Sequence, residues 1–306
     1  MTPNIHADNC IKLVEMGPRD GLQSEVSFIS TALKISLVNQ LSDSGLRYIE
    51  TGSFVSPRWV PQMADSAQVF AGIARKPGVT YCALTPNMQG WLQAAAAQAD
   101  EIAIFVSASE GFSQRNLNCD IRSSLQRYAP VVEAALHAGI KVRAYVSCVL
   151  GCPYQGDVQP LEVLLLCQKL LSMGCYEVSL GDTIGVGTPG KTRQLLQCLL
   201  SYIPASQLAM HMHDTYGQAI ANIYASLEQG IRTFDASVGG LGGCPYAQGA
   251  TGNVATEDVV YLLEREGFRH GVDLDQLAAT GVWINQQLNK THQARAGLAI
   301  YQKRSA

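Results

Sequence analysis

His211 and His213, in the run His211-Met-His213-Asp214, are the pair whose spacing first suggests chemistry. On a β-strand, residues two apart point to the same face, so both imidazoles would meet one partner. Asp20 at the end of another apolar run adds a carboxylate. Two imidazoles with carboxylate and amide oxygen make a mixed N/O set suited to a divalent ion such as Mg²⁺ or Mn²⁺, with zinc as the chemical rival. Arg19 sets a cation beside that acid, so the two neighbours could serve an oxyanion and a metal respectively, with Glu50 bracing Arg19 from the next strand. Plainer readings stand beside these. Asp20-Gly21 is a common turn dipeptide, Arg19 and Glu50 could form a structural ion pair, and two histidines can simply be hydrogen-bonded. Asn253 immediately precedes a helical pattern from Val254, where Asn is a preferred N-cap, and Glu257 and Asp258 suit an acidic first helical turn.

The stretch from Ser237 to Asn253 carries six glycines and one thiol, Cys244. Glycines concentrate where φ is positive, where a ligand approaches closely or where a loop opens and closes. Cys244 is framed by Gly242, Gly243 and Pro245, which is not the setting of a core thiol. The loop therefore reads either as a flexible surface segment or as one that meets a ligand, and the setting of Cys244 favours a functional thiol. The nine cysteines are odd in number and include no C-x-x-C pair, so neither a disulfide framework nor a common zinc spacing is present. Cys82, Cys167, Cys175 and Cys198 lie among apolar neighbours and read as core residues.

These residues need elements that bring them to one end of a scaffold. Eight apolar runs recur about every 30 residues: Ile11–Met16, Tyr48–Thr51, Thr80–Leu84, Ile102–Val106, Val142–Val149, Tyr176–Leu180, Leu208–His213 and Thr233–Val238. Most are continuous rather than alternating, as parallel strands covered on both faces should be. Helical spacings of three and four lie between them, as in Ile121, Leu125, Tyr128, Val132 and Ala135. Eight strand-then-helix units in an undivided chain predict an α/β fold, a (β/α)8 barrel over about 11–266 with a helical C-terminal extension over about 273–304, together one domain. Barrel chemistry sits at the C-terminal ends of strands, and the polar residues cluster there: Arg19 and Asp20, Glu50, Asp182, His211 and His213, and the glycine loop. Gly185-Val-Gly187-Thr-Pro-Gly190 matches a dinucleotide fingerprint, but it follows the sixth strand of eight and reads as turn and helix start.

With 47% hydrophobic residues, 15% charged residues and a net charge of -3, the chain has no basic surplus for nucleic acid. No apolar run approaches a membrane span, and the first residues lack a basic start followed by an apolar core. A soluble cytoplasmic protein is expected.

Four motifs then carry a resemblance. Val14-Glu-Met-Gly-Pro-Arg-Asp-Gly-Leu-Gln-Ser-Glu25, Ser179-Leu-Gly-Asp-Thr-Ile-Gly-Val-Gly-Thr-Pro-Gly190, His211-Met-His-Asp-Thr-Tyr-Gly-Gln-Ala219 and Gly239-Gly-Leu-Gly-Gly-Cys-Pro-Tyr-Ala247 resemble the 3-hydroxy-3-methylglutaryl-CoA lyases from about Ile11 to Asn289. The resemblance implies a barrel of a superfamily of metal-dependent lyases and Claisen-type synthases. It implies Asp20, His211, His213 and Asn253 as ligands of Mg²⁺ or Mn²⁺, Arg19 as substrate-binding and enolate-stabilising, and Cys244 as the catalytic thiol. Asp182, Glu50 and Glu257 match acidic residues important in the family. The implied reaction cleaves 3-hydroxy-3-methylglutaryl-CoA to acetyl-CoA and acetoacetate, as in leucine degradation, and a homodimer is a reasonable expectation. The first proton acceptor is open among Asp20, His211 and Cys244. A related lyase for a longer branched substrate such as 3-hydroxy-3-isohexenylglutaryl-CoA is the alternative, and a non-catalytic metal- or CoA-binding barrel is a third reading. Leu22 and the Gly-Gly-Cys-Pro loop speak against the related synthases and ketoacid aldolases. Gly52 and Gly240 depart from the family's pattern, where threonine and alanine are expected. The chain lacks the transit segment and peroxisomal tail of some members, which fits a bacterial-type cytosolic form.

Overall fold

The computed structural model describes residues 9–243 and 252–305. Eight parallel strands, β1 (Lys12–Glu15), β2 (Tyr48–Ser53), β3 (Thr80–Leu84), β4 (Glu101–Ser107), β5 (Lys141–Ser147), β6 (Glu177–Asp182), β7 (Leu208–Met212) and β8 (Thr233–Ala236), close into a barrel in sequence order, with β8 pairing back onto β1. Every strand overlaps one of the eight apolar runs. The expected boundaries extend beyond the ladder at both β7 and β8, because His213 and Ser237 leave the strands to pair with Asn253 and Ala255.

Helices α1 (Thr31–Asp43), α2 (Ser66–Gly72), α3 (Met88–Ala96), α4 (Glu110–Leu117), α5 (Ile121–His137), α6 (Pro160–Ser172), α7 (Pro189–Leu200), α8 (Ala219–Glu228) and α9 (Thr256–Arg265) follow the strands. Their starts are marked locally. Ser30, Asn87, Ser109, Asp120 and Thr188 each accept a backbone N–H three residues on, which satisfies a donor that the first turn would leave free. The core between strands and helices is aliphatic, with Leu37, Leu41, Ile49, Ile102, Val142, Val178, Leu196, Leu208 and Val260 fully buried. Two more helices, α10 (Leu274–Gln287) and α11 (Arg295–Ser305), form the expected extension. They pack on each other, on α9 and, through α10, on α1 and the segment Val238–Gly240.

Two local irregularities shape the site. After β1 the chain makes a single π-helical turn, Gly17–Gly21, in which the Gly21 N–H bonds the Met16 carbonyl at 3.0 Å. Such turns place an extra residue within one winding and recur at functional sites. Strand β2 shifts register against β3 between Glu50 and Gly52. A Cβ at Gly52 would lie 2.7 Å from the Ser66 hydroxyl, so glycine suits the bulge in this chain. Gly240 has φ +68 and a Cβ there would lie 2.7 Å from the Gln293 Cβ, which gives this departure a steric reason too. Among the described residues, no helix is long and apolar enough to cross a membrane.

Candidate active site

Asp20 sits on the π turn after β1, His211 near the end of β7, and His213 just beyond it. The three offer one ligand atom each, all within 4.8 Å of one another. The Nε2 atoms of His211 and His213 are 3.2 Å apart, and His211 Nε2 is 4.0 Å from Asp20 Oδ2. Two ligands each about 2.1 Å from one ion and at right angles stand about 3 Å apart, so the imidazole pair fits a single cation. Burial and the neighbouring His211 push His213 down to about 4, against the pull of Asp20, which keeps its imidazole neutral at neutral pH. Burial alone would raise Asp20, but the Arg19 guanidinium and the two histidines hold it at about 2. An ionised carboxylate and a neutral imidazole are the forms that bind metal.

Asn253 completes the cluster in a way that local sequence does not show. It does not cap α9, which starts at Thr256 with Ala255 at the N-cap and no side-chain capping bond. Asn253 instead pairs with His213 in an isolated antiparallel bridge, and its Nδ2 donates to Asp20 Oδ2 at 2.7 Å and to the Leu241 carbonyl at 3.3 Å. Turning the amide by half a turn presents its oxygen in the same place, so the residue can serve either as donor to Asp20 or as oxygen ligand.

Arg19 is wedged between two acids. Its Nε bonds Glu50, and its Nη1 lies 2.6 Å from Asp20 Oδ1. Burial works against the charge, but Glu50 and Asp20 keep the guanidinium firmly protonated. Glu50 is fully buried and also accepts the Tyr145 hydroxyl at 3.1 Å; burial raises its pKa against the stabilising Arg19. The Arg19–Glu50 contact is thus the ion pair considered from sequence, and it holds a cation against Asp20.

The remaining acids stand differently. Asp182 ends β6 and its carboxylate accepts the N–H groups of Val186 and Gly187 at 3.1 and 2.8 Å. Burial pushes it up to about 6 against those hydrogen bonds. The Gly185-x-Gly187 segment therefore wraps a carboxylate of this chain, and Thr188 caps α7, in keeping with a turn rather than a nucleotide cradle. Glu257 is reached by neither histidine of the cluster. Both its oxygens accept the Gly239 N–H, at 3.0 and 2.9 Å, and His292 Nε2 lies 3.7 Å away. Its location ties it to the entry of the glycine loop. Gly239 has φ +64, and a Cβ there would fall 2.3 Å from Asn285 Nδ2, so only glycine fits that entry. Cys244 lies outside the described residues.

Glu15 has no counterpart among the residues singled out from sequence. Its Oε1 accepts the N–H groups of Gly17 at 2.7 Å and Val238 at 2.8 Å, and its Oε2 accepts the Thr256 hydroxyl at 2.7 Å. One buried carboxylate thereby joins the Arg19–Asp20 turn, the glycine loop and the start of α9. The available signal was a glutamate inside an otherwise apolar strand. Asp235 gives the same signal on β8 and stands beside His211 in the β7–β8 register.

The profile of the family described as HMGL-like matches residues 10–284. The chain belongs to the HMGL-like family. A relative from Pseudomonas aeruginosa named 3-hydroxy-3-isohexenylglutaryl-CoA/hydroxymethylglutaryl-CoA lyase is 58% identical over 293 residues, covering 96% of this chain and 98% of its own. The crystal structure of hydroxymethylglutaryl-CoA lyase from Pseudomonas aeruginosa superposes with a TM-score of 0.95 at 58% identity, covering 97% of this chain and 99% of that one. The HMG-CoA lyase of Acinetobacter baumannii, solved with coenzyme A and 3-methylmalate, gives a TM-score of 0.91 at 36% identity, covering 98% and 97%. Membership in the family agrees with a closed parallel barrel whose acid, histidine pair and arginine meet at the C-terminal ends of the strands.

Proposed function

We propose that this protein is a divalent-metal-dependent carbon–carbon lyase that cleaves 3-hydroxy-3-methylglutaryl-CoA to acetyl-CoA and acetoacetate. The observation that carries the proposal is the direct contact between Arg19 and Asp20, which sets an oxyanion-stabilising cation against an acid that shares its site with His211 and His213. A divalent ion, Mg²⁺ or Mn²⁺, held by Asp20, His211, His213 and Asn253 would supply the Lewis acidity that lowers the pKa of the substrate's tertiary hydroxyl. When a base of the site, Asp20, His211 or the Cys244 sulfur, takes the hydroxyl proton, the carbon–carbon bond breaks and its electron pair passes to the thioester as an enolate. Arg19 meets that charge on the thioester oxygen, kept in place by Glu50, whose second oxygen is fixed by Tyr145. Cys244, in its thiol form, gives its proton to the enolate carbon. Asp182 and Glu257 act by holding backbone: the former keeps the loop after β6 in place, the latter the entry to the glycine loop.

Incubation of the purified protein with Mn²⁺ and 3-hydroxy-3-methylglutaryl-CoA should release acetoacetate and acetyl-CoA in equal amounts. Tight Mn²⁺ binding with no product would instead favour the non-catalytic reading. The name of the Pseudomonas aeruginosa relative, which joins both substrates, supports a second reading in which 3-hydroxy-3-isohexenylglutaryl-CoA is cleaved as well. The ratio of kcat/KM for the methyl and isohexenyl substrates decides between them.

A further inference from the structure

Beside His211 the barrel interior holds a connected set of buried charges. Asp235 on β8 is 1% exposed, and parallel register places it directly across from His211 on β7. Its Oδ2 lies 3.3 Å from His211 Nδ1 and accepts the Ser179 hydroxyl from β6 at 2.6 Å. Arg143, on β5 and 1% exposed, grips both oxygens of Asp235, Nη1 to Oδ2 at 3.1 Å and Nη2 to Oδ1 at 2.7 Å. The Nε of Arg143 donates to Glu177 on β6 at 2.6 Å, and Glu177 in turn meets Lys12 on β1 at 3.1 Å.

This arrangement does more than neutralise charge. A bidentate guanidinium fixes the plane of the Asp235 carboxylate, because both N–H bonds hold only in one orientation. With that plane fixed, Oδ2 is shared by Arg143 Nη1, the Ser179 hydroxyl and His211 Nδ1, and because a carboxylate oxygen can only accept, the imidazole nitrogen facing it must be the one that donates. A neutral imidazole that donates from Nδ1 carries its lone pair on Nε2. That Nε2 is the atom facing His213 and Asp20. The strand register therefore selects which nitrogen of His211 is left free to bind.

We propose that Asp235, locked by Arg143 and Ser179, is a positioning residue that fixes the ring and tautomer of His211 for metal binding. The proposal rests on the reading of Asp20, His211 and His213 as a metal site. It differs from a plain core ion pair, which would stabilise the barrel without acting on metal affinity. Outer partners of metal-bound histidines typically change affinity by 10- to 100-fold when altered.

Two measurements test it. In metal-free wild-type protein near pH 7.5, the ¹⁵N shifts of the His211 ring should show Nδ1 protonated and Nε2 bare; an Nε2-protonated ring overturns the proposal without any variant. Titration with Mn²⁺, followed by calorimetry and by the loss of the free-ion paramagnetic signal, should give a Kd raised 10- to 100-fold in Asp235→Asn and by a smaller factor in Ser179→Ala. Ser179→Ala removes a single donor and keeps the Arg143 clamp, so it reads the effect even if Asp235→Asn folds poorly. A wild-type Kd in both variants, or a lowered Tm with an unchanged Kd, refutes the positioning role. Failure of the wild-type protein to bind Mn²⁺ overturns instead the metal reading beneath it, while the ring tautomer still reports on Asp235.

Discussion

The Glu15→Gln variant puts a number on how the site is held together. Glu15 is fully buried and its three hydrogen bonds come from Gly17, Val238 and Thr256. Burial pushes its carboxyl up to about 7 from an ordinary 4.5, against the opposing effect of those hydrogen bonds. A folded pKa above the unfolded one means that the folded state favours the protonated form. The associated stability is present in full below pH 4.5 and is lost as pH rises through about 7. At about 1.4 kcal/mol per unit, a rise of that size corresponds to about 3 kcal/mol. Glutamine reproduces the neutral form: its oxygen accepts the two backbone N–H groups and its amide donates to the Thr256 hydroxyl. Its stability relative to wild type should therefore improve by about 3 kcal/mol between pH 4.5 and pH 8. Urea unfolding across this range in chelator reads that difference directly. His213, with its opposite shift, and Asp182, with a shift of the same sign, occur in both proteins and cancel. A stability difference that stays flat with pH would refute the argument that burial penalises this carboxylate.

Arg19→Met should reduce turnover by about 10²- to 10³-fold and destabilise the fold by about 3–5 kcal/mol because Glu50 is left buried and unpaired. Adding Glu50→Gln should restore much of the stability and none of the turnover, a split seen by combining urea unfolding with steady-state kinetics. Cys244→Ala should lower turnover by roughly 10²-fold while calorimetry shows unchanged Mn²⁺ binding; near-normal turnover removes the thiol from the mechanism. Mn²⁺ at about 100 times its Kd should stabilise the wild-type protein by about 2.7 kcal/mol, measured as a rise in Tm, and Asp20→Ala should abolish the rise.

The strand-helix beat, the closed barrel and the C-terminal extension could be read from sequence because each repeats a local rule. A strand covered on both faces must be apolar along its length, and the intervening helices must keep a spacing of three and four. The candidates at the strand ends could be read for the same reason, since His211 and His213 share a face by simple alternation. Asn253 shows where local reasoning stops. Its neighbours make it an N-cap, yet the chain runs on to Ala255 before α9 begins, and the amide is spent on Asp20 from the opposite end of the sequence. Glu257 was legible as a first-turn acid, but its contact with Gly239 follows from how α9 lies against the loop after β8. Glu15, Arg143 and Asp235 were visible as charged residues in apolar strands, without any sign of their partners. For Arg143 and Asp235 those partners come from β5, β6, β7 and β8, and for Glu15 from the turn after β1, the segment after β8 and the start of α9; no spacing along one strand encodes which residues face each other across a barrel. Element types, their order and the residues able to do chemistry follow from local sequence patterns. Closure of the barrel decided which carboxylate meets which cation, because strand register and interior packing arise only when all eight strands are in place.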